Sequence, residues 1–157
     1  MGKTSRIVIF VLIVVALAQV AHAQDVLAEH KTRGLTKLRS LAIVVRPNTP
    51  REIIGMKELG DLIELRLHRE IPGLSISNPD GSPVWLELSI ITVDAGGSLE
   101  LSVYRWVRVL DSGEETISKV WWDSRMIFGG LSKESLKDSL DTLLTSFAAD
   151  YVRANRP

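Results

Sequence analysis

Few side chains in this sequence have the types and spacing of a catalytic site. The chain has three histidines and no cysteine, and only His30 and His68 lie beyond residue 23. His30 falls in a polar segment and His68 late in a predicted helix, so neither belongs to a nucleophile, base and orienting-group arrangement. Gly129-Gly130 lacks the further glycines and the lysine of a phosphate-binding loop. We therefore expect neither nucleophilic nor phosphate-loop chemistry.

A pair of carboxylates is the remaining kind of catalytic site, because the fold can bring two acids together from any positions in the chain. Glu114-Glu115, Asp80 and Asp94 all fall at expected turns, where charged side chains are solvated. The alternating Asp/Asn loop of a calcium site is absent, and there is no cysteine for zinc. The sequence predicts no metal, no cofactor and no enzymatic activity. A small exported glycan hydrolase with dispersed carboxylates is the alternative.

Three consecutive segments have the composition of β-strands. They are residues 84–93, 99–110 and 116–125. Gly96-Gly97 and Ser112-Gly113 separate them and fit two-residue hairpin turns. With these turns, an antiparallel three-stranded meander is predicted.

The predicted turns set a register that keeps the apolar side chains on one face. Leu86 would lie opposite Val107, and Val103 opposite Trp122. A half-buried sheet requires such agreement, and a slip of one residue would reverse it.

The same register gathers aromatic side chains on the opposite face of the sheet. Trp85 would lie opposite Arg108, and Tyr104 opposite Trp121, with Trp106 between them. Contiguous exposed aromatic side chains usually mark contact with another molecule. We therefore predict a partner or ligand surface formed by these five residues. Two alternatives are open: the N-terminal segment or the 78–83 loop covers the patch, or cross-strand pairs only stiffen the sheet.

Arg105 is anomalous in this register, because it falls on the apolar face near Leu88 and Val120. A buried guanidinium is costly unless a carboxylate pairs with it, or unless it lies at the edge of the sheet. Extension of the side chain to solvent is one interpretation, and a site for an anionic ligand is the other.

The remaining segments predict the elements that support the meander. Residues 38–45 are β-rich, and a Thr49-Pro50-Arg51-Glu52 capping box precedes a helical pattern that could also start near Met56. Residues 74–77 form a short strand, and Ser132 begins an amphipathic C-terminal helix. The order β-α-β-β-β-β-α indicates an α+β fold. We expect a mostly antiparallel four- to five-stranded sheet with two helices on one face.

The N-terminus has the pattern of a secretory signal peptide. Lys3 and Arg6 precede an apolar run over residues 7–18, and Ala21-His22-Ala23 is a cleavage signal. We predict a cleaved signal peptide over residues 1–23, a flexible lead-in over 24–36 and one α+β domain over 37–157. The protein is then periplasmic or secreted. Retention of the segment as a membrane anchor is the alternative.

The composition of the exported part of the chain limits the classes of partner that it can bind. Without Lys3 and Arg6, 17 of the 19 basic residues remain against 19 acidic ones, a net charge of −2. This balance argues against a nucleic-acid binder, which needs a basic face. The absence of cysteine excludes disulfides and a lipid anchor attached at a mature N-terminal cysteine. A periplasmic protein is favoured.

Three segments resemble small domains of bacterial envelope machinery. They are LAIVV at 41–45, LIELRL at 62–67 with GLSI at 73–76, and FAADYVRANRP at 147–157. With the element order, they resemble the LPS-assembly lipoprotein, the ABC-transport auxiliary lipoproteins and the N-terminal domain of the Tol-system propeller protein. The lipoproteins carry a cysteine that this chain lacks, and uncharacterised exported α+β proteins are an equally good match. The resemblance is one of topology, and no functional residue is transferred by it.

The first functional hypothesis is a non-enzymatic adaptor of the cell envelope, bound through its aromatic face to an envelope protein or to a second copy of itself. A flat aromatic face would favour this adaptor. Two acids in a cleft beside the aromatic residues would favour a glycan hydrolase. An enclosed apolar cavity between helices and sheet would favour a third possibility, a periplasmic carrier of a lipid or another apolar ligand.

Overall fold

One five-stranded mixed sheet with two helices packed on one face makes up the fold in the computed structural model, which describes residues 32–48, 53–93 and 96–156. The strands are β1 (Ser40–Asn48), β2 (Ser75–Ser77), β3 (Val84–Val93), β4 (Gly96–Arg108) and β5 (Glu115–Phe128). The helices are α1 (Met56–Glu70) and α2 (Lys133–Ala154). The chain order β1-α1-β2-β3-β4-β5-α2 confirms the predicted α+β fold. The predicted signal peptide, most of the lead-in and the capping box at 49–52 lie outside the described residues.

The spatial strand order is β2-β1-β3-β4-β5. β1 lies parallel to both β2 and β3, whereas β3, β4 and β5 form the predicted antiparallel meander. The parallel β1–β2 pair follows from the α1 crossover, since a helix between two strands returns the chain in the same direction.

The core lies between the helices and one face of the sheet, called here the inner face. Alternate residues of β3 point into it, and Leu86, Leu88 and Ile90 are 0–2% exposed. Each helix contributes a stripe at helical spacing. The stripe of α1 is Leu59, Ile63 and Leu67, and that of α2 is Leu136, Leu140, Leu143, Leu144, Phe147 and Ala148.

The two helices begin differently. α1 starts at Met56, the later of the two predicted starts, and its N-cap Gly55 makes no side-chain cap. α2 starts with a reciprocal capping box. The Ser135 N–H donates to Ser132 Oγ at 3.1 Å, and the Ser132 N–H donates to Ser135 Oγ at 2.9 Å. These bonds satisfy two backbone donors that the helix leaves free.

The C-terminus of α2 holds the segment that precedes β1. Asn155 Nδ2 donates to the carbonyl oxygen of Leu35 at 3.0 Å, and its Oδ1 accepts from the N–H of Lys37 at 2.8 Å. Tyr151 donates to the carbonyl oxygen of Leu38 at 2.7 Å. Leu35 falls within the predicted lead-in, yet its side chain is completely buried in the core. The fold therefore includes residues just before the predicted domain start.

The register of the meander differs from the predicted one. Gly96-Gly97 does not form a turn but begins β4, opposite residues 92 and 93 of β3. Leu86 therefore faces Val103 and not Val107. This shift moves the partner by four residues, and an even shift leaves each β3 and β4 side chain on its predicted face.

The β4–β5 pairing contains a bulge that the sequence pattern does not reveal. Tyr104 faces Lys119, but Val103 faces Trp121, so Val120 is the extra residue on β5. An inserted residue reverses the alternation of the strand beyond it. Val103 does not face Trp122, as predicted, and every β5 residue after the bulge lies on the face opposite to its predicted one.

Gly34 packs against this bulge so closely that a larger residue does not fit. A Cβ atom at residue 34 would lie 2.3 Å from the carbonyl oxygen of Val120 and 2.7 Å from its Cβ. We expect Gly34→Ala to lower the free energy of unfolding by about 1–3 kcal/mol, because backbone must move to relieve the contact. Urea denaturation measures this change.

Gly60→Ala is the matched control, since Gly60 lies inside α1 and a Cβ there would have nothing within 4 Å. Alanine is favoured over glycine within a helix, so this change should stabilise the protein by about 0.5–1 kcal/mol. Equal effects of the two substitutions would show that Gly34 does not contact the bulge.

Candidate interaction surface on the outer face of the sheet

The outer face of the sheet, opposite the helices, carries a cluster of large side chains. Trp85 lies opposite Tyr104, and their rings stack with centroids 5.5 Å apart and an interplanar angle of 14°. Trp106 lies two residues further along β4, opposite Ile117 of β5. Trp106 is 47% exposed and Ile117 is 48% exposed. We call Trp85, Tyr104, Trp106 and Ile117 the outer-face cluster.

The cluster lies at the base of a projecting hairpin. β3 begins at Val84, opposite Arg105, so β4 beyond Arg105 has a strand partner only in residues 115–117 of β5. The Trp106 N–H donates to the carbonyl oxygen of Pro83 at 3.0 Å, which fixes the base of the hairpin. Leu110 at the tip is 98% exposed. The hairpin thus extends the apolar surface beyond the sheet.

Arg108 pairs with Glu115, not with Trp85 as predicted. Its Nη2 lies 3.2 Å from Glu115 Oε1, and both side chains are largely exposed. An exposed ion pair adds little stability, so this pair acts chiefly as a charged rim beside Trp106.

Trp121 does not belong to the outer face, and its predicted place in the surface is wrong. The bulge turns it into the core, where it is 0% exposed. Its ring meets Phe147 edge-on at 5.1 Å, and its Nε1 donates to Asp150 Oδ2 at 3.0 Å. Trp122 takes the outward position and is 40% exposed.

Arg105 lies opposite Val84 and Ser118, not beside Leu88 and Val120 as predicted. It is half-buried beside the first residue of β3, and it forms no salt bridge with any carboxylate of the described residues. Its position opposite the buried Val84 keeps Arg105 on the inner face, as predicted, and a site for an anionic ligand there stays a prediction.

A ladder of polar side chains crosses the middle of the outer face, and the aromatic pattern of the sequence does not indicate it. Arg46 Nε lies 3.0 Å from Glu87 Oε2, and Glu87 is only 9% exposed. Glu100 accepts from Ser102 at 2.7 Å and pairs with Lys119. Alternating Glu and Ser residues on β3 and β4 are the sequence signal for this ladder.

The ladder joins the outer-face cluster through Lys119. Its Nζ lies 5.6 Å from the centroid of the Tyr104 ring, within the range of a cation–π contact. Hydrogen bonding to Lys119 lowers the pKa of the Glu100 carboxyl, against the opposing effect of burial. The same bond raises the pKa of Lys119. Both groups are therefore charged at neutral pH.

Two openings bear on the alternative functions. A cleft of about 530 Å³ beside Trp106 has a single carboxylate in its lining, Glu115, which Arg108 already pairs. An open groove of about 310 Å³ separates the helices, with Leu62, Leu65 and Leu140 in its lining. Between helices and sheet lie side chains that are completely or nearly completely buried.

Within residues 32–48, 53–93 and 96–156, no group of three or more His, Asp or Glu side chains could hold a metal ion. In that same part of the chain, no helix has the length and apolarity needed to cross a membrane.

No family model matches the sequence, and neither does any curated protein. Among solved structures, the PelC dodecamer from Paraburkholderia phytofirmans is similar over 73% of this chain and 86% of its own, at 11% identity and a TM-score of 0.37. A DUF330 protein from Xanthomonas campestris is similar over 74% and 83%, at 8% identity and a TM-score of 0.34. Rare lipoprotein B from Shewanella oneidensis is similar over 72% and 92%, at 11% identity and a TM-score of 0.26.

These solved structures resemble the chain only distantly. Their TM-scores, between 0.26 and 0.37, are too low to carry an argument about function or assembly.

The opposite positions of two tryptophans are directly testable. Trp121→Ala should lower the free energy of unfolding by about 3–5 kcal/mol, because it leaves a cavity beside Phe147 and removes the indole donor to Asp150 Oδ2. Trp106→Ala should cost less than about 1 kcal/mol, because half of that side chain is already solvated. Chemical denaturation of both variants measures the two changes. A larger loss of stability for Trp106→Ala than for Trp121→Ala would contradict the structure.

The Glu100 carboxylate in the polar ladder should make the free energy of unfolding depend on pH in the acid range. Because its folded-state pKa is lowered, its contribution is present above the unfolded-state pKa of about 4.3 and is lost as pH falls through the folded value. Glu100→Gln should therefore cost about 0.5 kcal/mol at pH 7 and almost nothing at acid pH. Stability curves over pH, with Lys119→Met as the control that removes the same pair, measure this. A loss that persists at acid pH would exclude the charge interaction as its cause.

Proposed function

We propose that this protein is a non-enzymatic binding module of the bacterial cell envelope, and that its outer-face cluster binds another envelope protein. The observation that carries the proposal is the half-exposed Trp106–Ile117 pair beside the stacked Trp85–Tyr104 rings. Large aromatic side chains dominate the energetics of protein interfaces, because each buries much apolar area at little loss of conformational freedom.

The shape and charge of the cluster fit a protein partner. The stacked Trp85 and Tyr104 rings need no ordering on binding, so the entropic cost of association is reduced. Arg108, Glu115 and Lys119 surround the aromatic side chains with charges of both signs. An apolar centre with a mixed polar rim is the usual composition of a protein interface.

The envelope location rests on the N-terminal sequence. A basic start, an apolar run and a small-residue cleavage signal are typical of an exported protein. With no cysteine to carry a lipid, the processed chain would be free in the periplasm or secreted. Such a protein can join envelope components without entering the bilayer.

The alternatives receive less support from the geometry. A glycan hydrolase would need a second acid near Glu115, but no other carboxylate belongs to the lining of the cleft beside Trp106. A carrier would need apolar space between helices and sheet, and buried side chains such as Phe147 and Trp121 occupy it.

Site-specific photo-crosslinking in the cell that makes the protein tests this proposal. A photoreactive residue replaces Ile117, which is exposed beside Trp106. The expected result is a discrete adduct with one envelope protein, and addition of Trp106→Ala should reduce its yield by about tenfold or more, since central aromatic residues dominate binding.

Leu65 supplies the matched control position, because it is 70% exposed but lies on α1, on the helical side of the molecule. The same adduct from Leu65, or a yield from Ile117 that Trp106→Ala leaves unchanged, would overturn the proposal. Circular dichroism checks that each variant is folded.

A further inference from the structure

The edge strand β2 covers only the first part of its neighbour, β1. β2 pairs with residues 40–42, whereas β1 continues to Asn48. Within the described residues, no strand pairs with β1 beyond Ala42 on the side that β2 occupies. We call residues 43–47 the open edge of β1, and it is about 17 Å long at the usual rise per residue of a strand. Unpaired backbone groups at the edge of a sheet recruit another strand.

The pairing of β2 shows which backbone groups of β1 face the open edge. The Ser75 N–H donates to the carbonyl oxygen of Arg39 at 2.9 Å, so Arg39 turns its backbone groups toward β2. Successive residues of a strand turn theirs to opposite sides, so residues 41, 43, 45 and 47 face the side of β2 as well. Val45 therefore presents both an N–H and a carbonyl oxygen to the open edge, and Pro47 presents a carbonyl oxygen alone. A peptide strand can bond to each of these groups.

A groove of about 380 Å³ lies between the open edge and α1. Ile43 and Val45 line it from β1, Ile76 lines it from β2, and Met56 and Gly60 line it from α1. Met56 is 53% exposed, and a Cβ atom at Gly60 would have nothing within 4 Å. Because alternate side chains of a strand point to the same face, every second residue of an added strand would enter this groove. The groove is thus apolar along β1 and has room for side chains beside α1.

Three charged side chains of α1 line the same groove, and two of them are acidic. They are Lys57, Asp61 and Glu64. Lys57 Nζ lies 2.8 Å from Asp61 Oδ2, so these two charges offset each other. Glu64 Oε1 lies 3.6 Å from His68 Nε2, which is too long for a hydrogen bond. With His68 neutral, the α1 side of the groove is net acidic, and a basic residue on the occupant would complement it.

We propose that an extended segment of a partner protein binds along the open edge of β1 as an added strand, in line with β2. Its backbone bonds to the N–H and the carbonyl oxygen of Val45. Its alternate apolar side chains enter the groove, and a basic residue lies against Glu64. When a strand is added to the edge of a sheet, main-chain hydrogen bonds provide affinity and side-chain pockets provide specificity.

The backbone groups of the open edge favour a peptide over a lipid as the occupant. An acyl chain would fill the apolar part of the groove. It would also remove the N–H and the carbonyl oxygen of Val45 from water without bonding to them, which is costly. The groove shares no residue with the outer-face cluster. The proposal therefore holds whether or not that cluster binds an envelope protein.

Peptide selection on the processed protein tests this proposal. A library of random dodecapeptides displayed on phage is the probe, and a selected peptide is then synthesised and titrated into isotope-labelled protein by NMR. The selected sequences should contain alternating apolar residues and a Lys or Arg. The backbone amide signals of Val45 and Gly60 should shift on titration.

Gly60→Gln should raise the dissociation constant of the peptide by more than about tenfold, because the added side chain occupies the groove. Leu65→Gln is the matched control, since it places the same side chain on α1 outside the groove and should leave the dissociation constant unchanged.

Two substitutions at Val45 isolate the contribution of its N–H group. Val45→Pro removes this donor but none of the bonds to β3, which the even-numbered residues of β1 make. It should raise the dissociation constant by about tenfold or more, whereas Val45→Thr, which keeps the N–H, should raise it by less than about threefold. Circular dichroism checks that each variant is folded.

A library that yields no enriched sequence would overturn the proposal. So would a selected peptide that Gly60→Gln and Val45→Pro bind as tightly as the unchanged protein does, or one that shifts only the signals of the outer-face cluster. None of these outcomes alters the crosslinking expected at Ile117, so the failure of the groove and the failure of the proposed function are distinguishable.

Discussion

The bulge at Val120 is the constraint on which the rest of the sheet depends. One extra residue on β5 reverses the alternation of every later residue of that strand. It turns Trp121 onto Phe147 and α2, and it leaves Trp122 and Met126 on the outer face. Gly34 fits against the same position, so the bulge also receives the chain that leads into β1. Without it, the largest core side chain would face solvent.

Because both helices cover the inner face, the two faces of the sheet are stabilised by different kinds of contact. The inner face supplies stability through apolar burial, and Trp121 and Phe147 are the largest of its fully buried side chains. The outer face is held by cross-strand contacts instead, through the Glu100–Lys119 pair and the stacked Trp85 and Tyr104 rings. These contacts pre-order a surface that the fold does not itself bury, and the proposed binding role depends on that division.

The sequence predicts the fold well because local patterns determine its elements. Apolar spacing predicts both helices, and the Ser132 cap also locates the start of α2. The β-rich segments give the order of the strands along the chain. The register between the strands could not be predicted from local patterns. Gly96-Gly97 has turn composition but begins β4, because the register of the longer strand pair decides where the hairpin turns.

The residues of the outer-face site were only partly predictable from the sequence, because the face of each residue also depends on the strand register. Its residues on β3 and β4 keep their predicted face, since a shift of four residues preserves alternation. Trp121 does not, because a bulge has no local signature in these residues. The hydrogen bond from Asn155 to Leu35 joins residues far apart in the chain, so no local pattern announces it.

The central claim is that the outer face is open around Trp106 while Trp121 is sealed in the core. Hydrogen exchange of the indole N–H groups in the processed protein, followed by NMR, tests it most directly. The account predicts fast exchange for Trp106 and strong protection for Trp121, whose indole donates to Asp150. Protection of Trp106 in the isolated protein would mean that another part of the chain covers the outer face, and this would contradict the account.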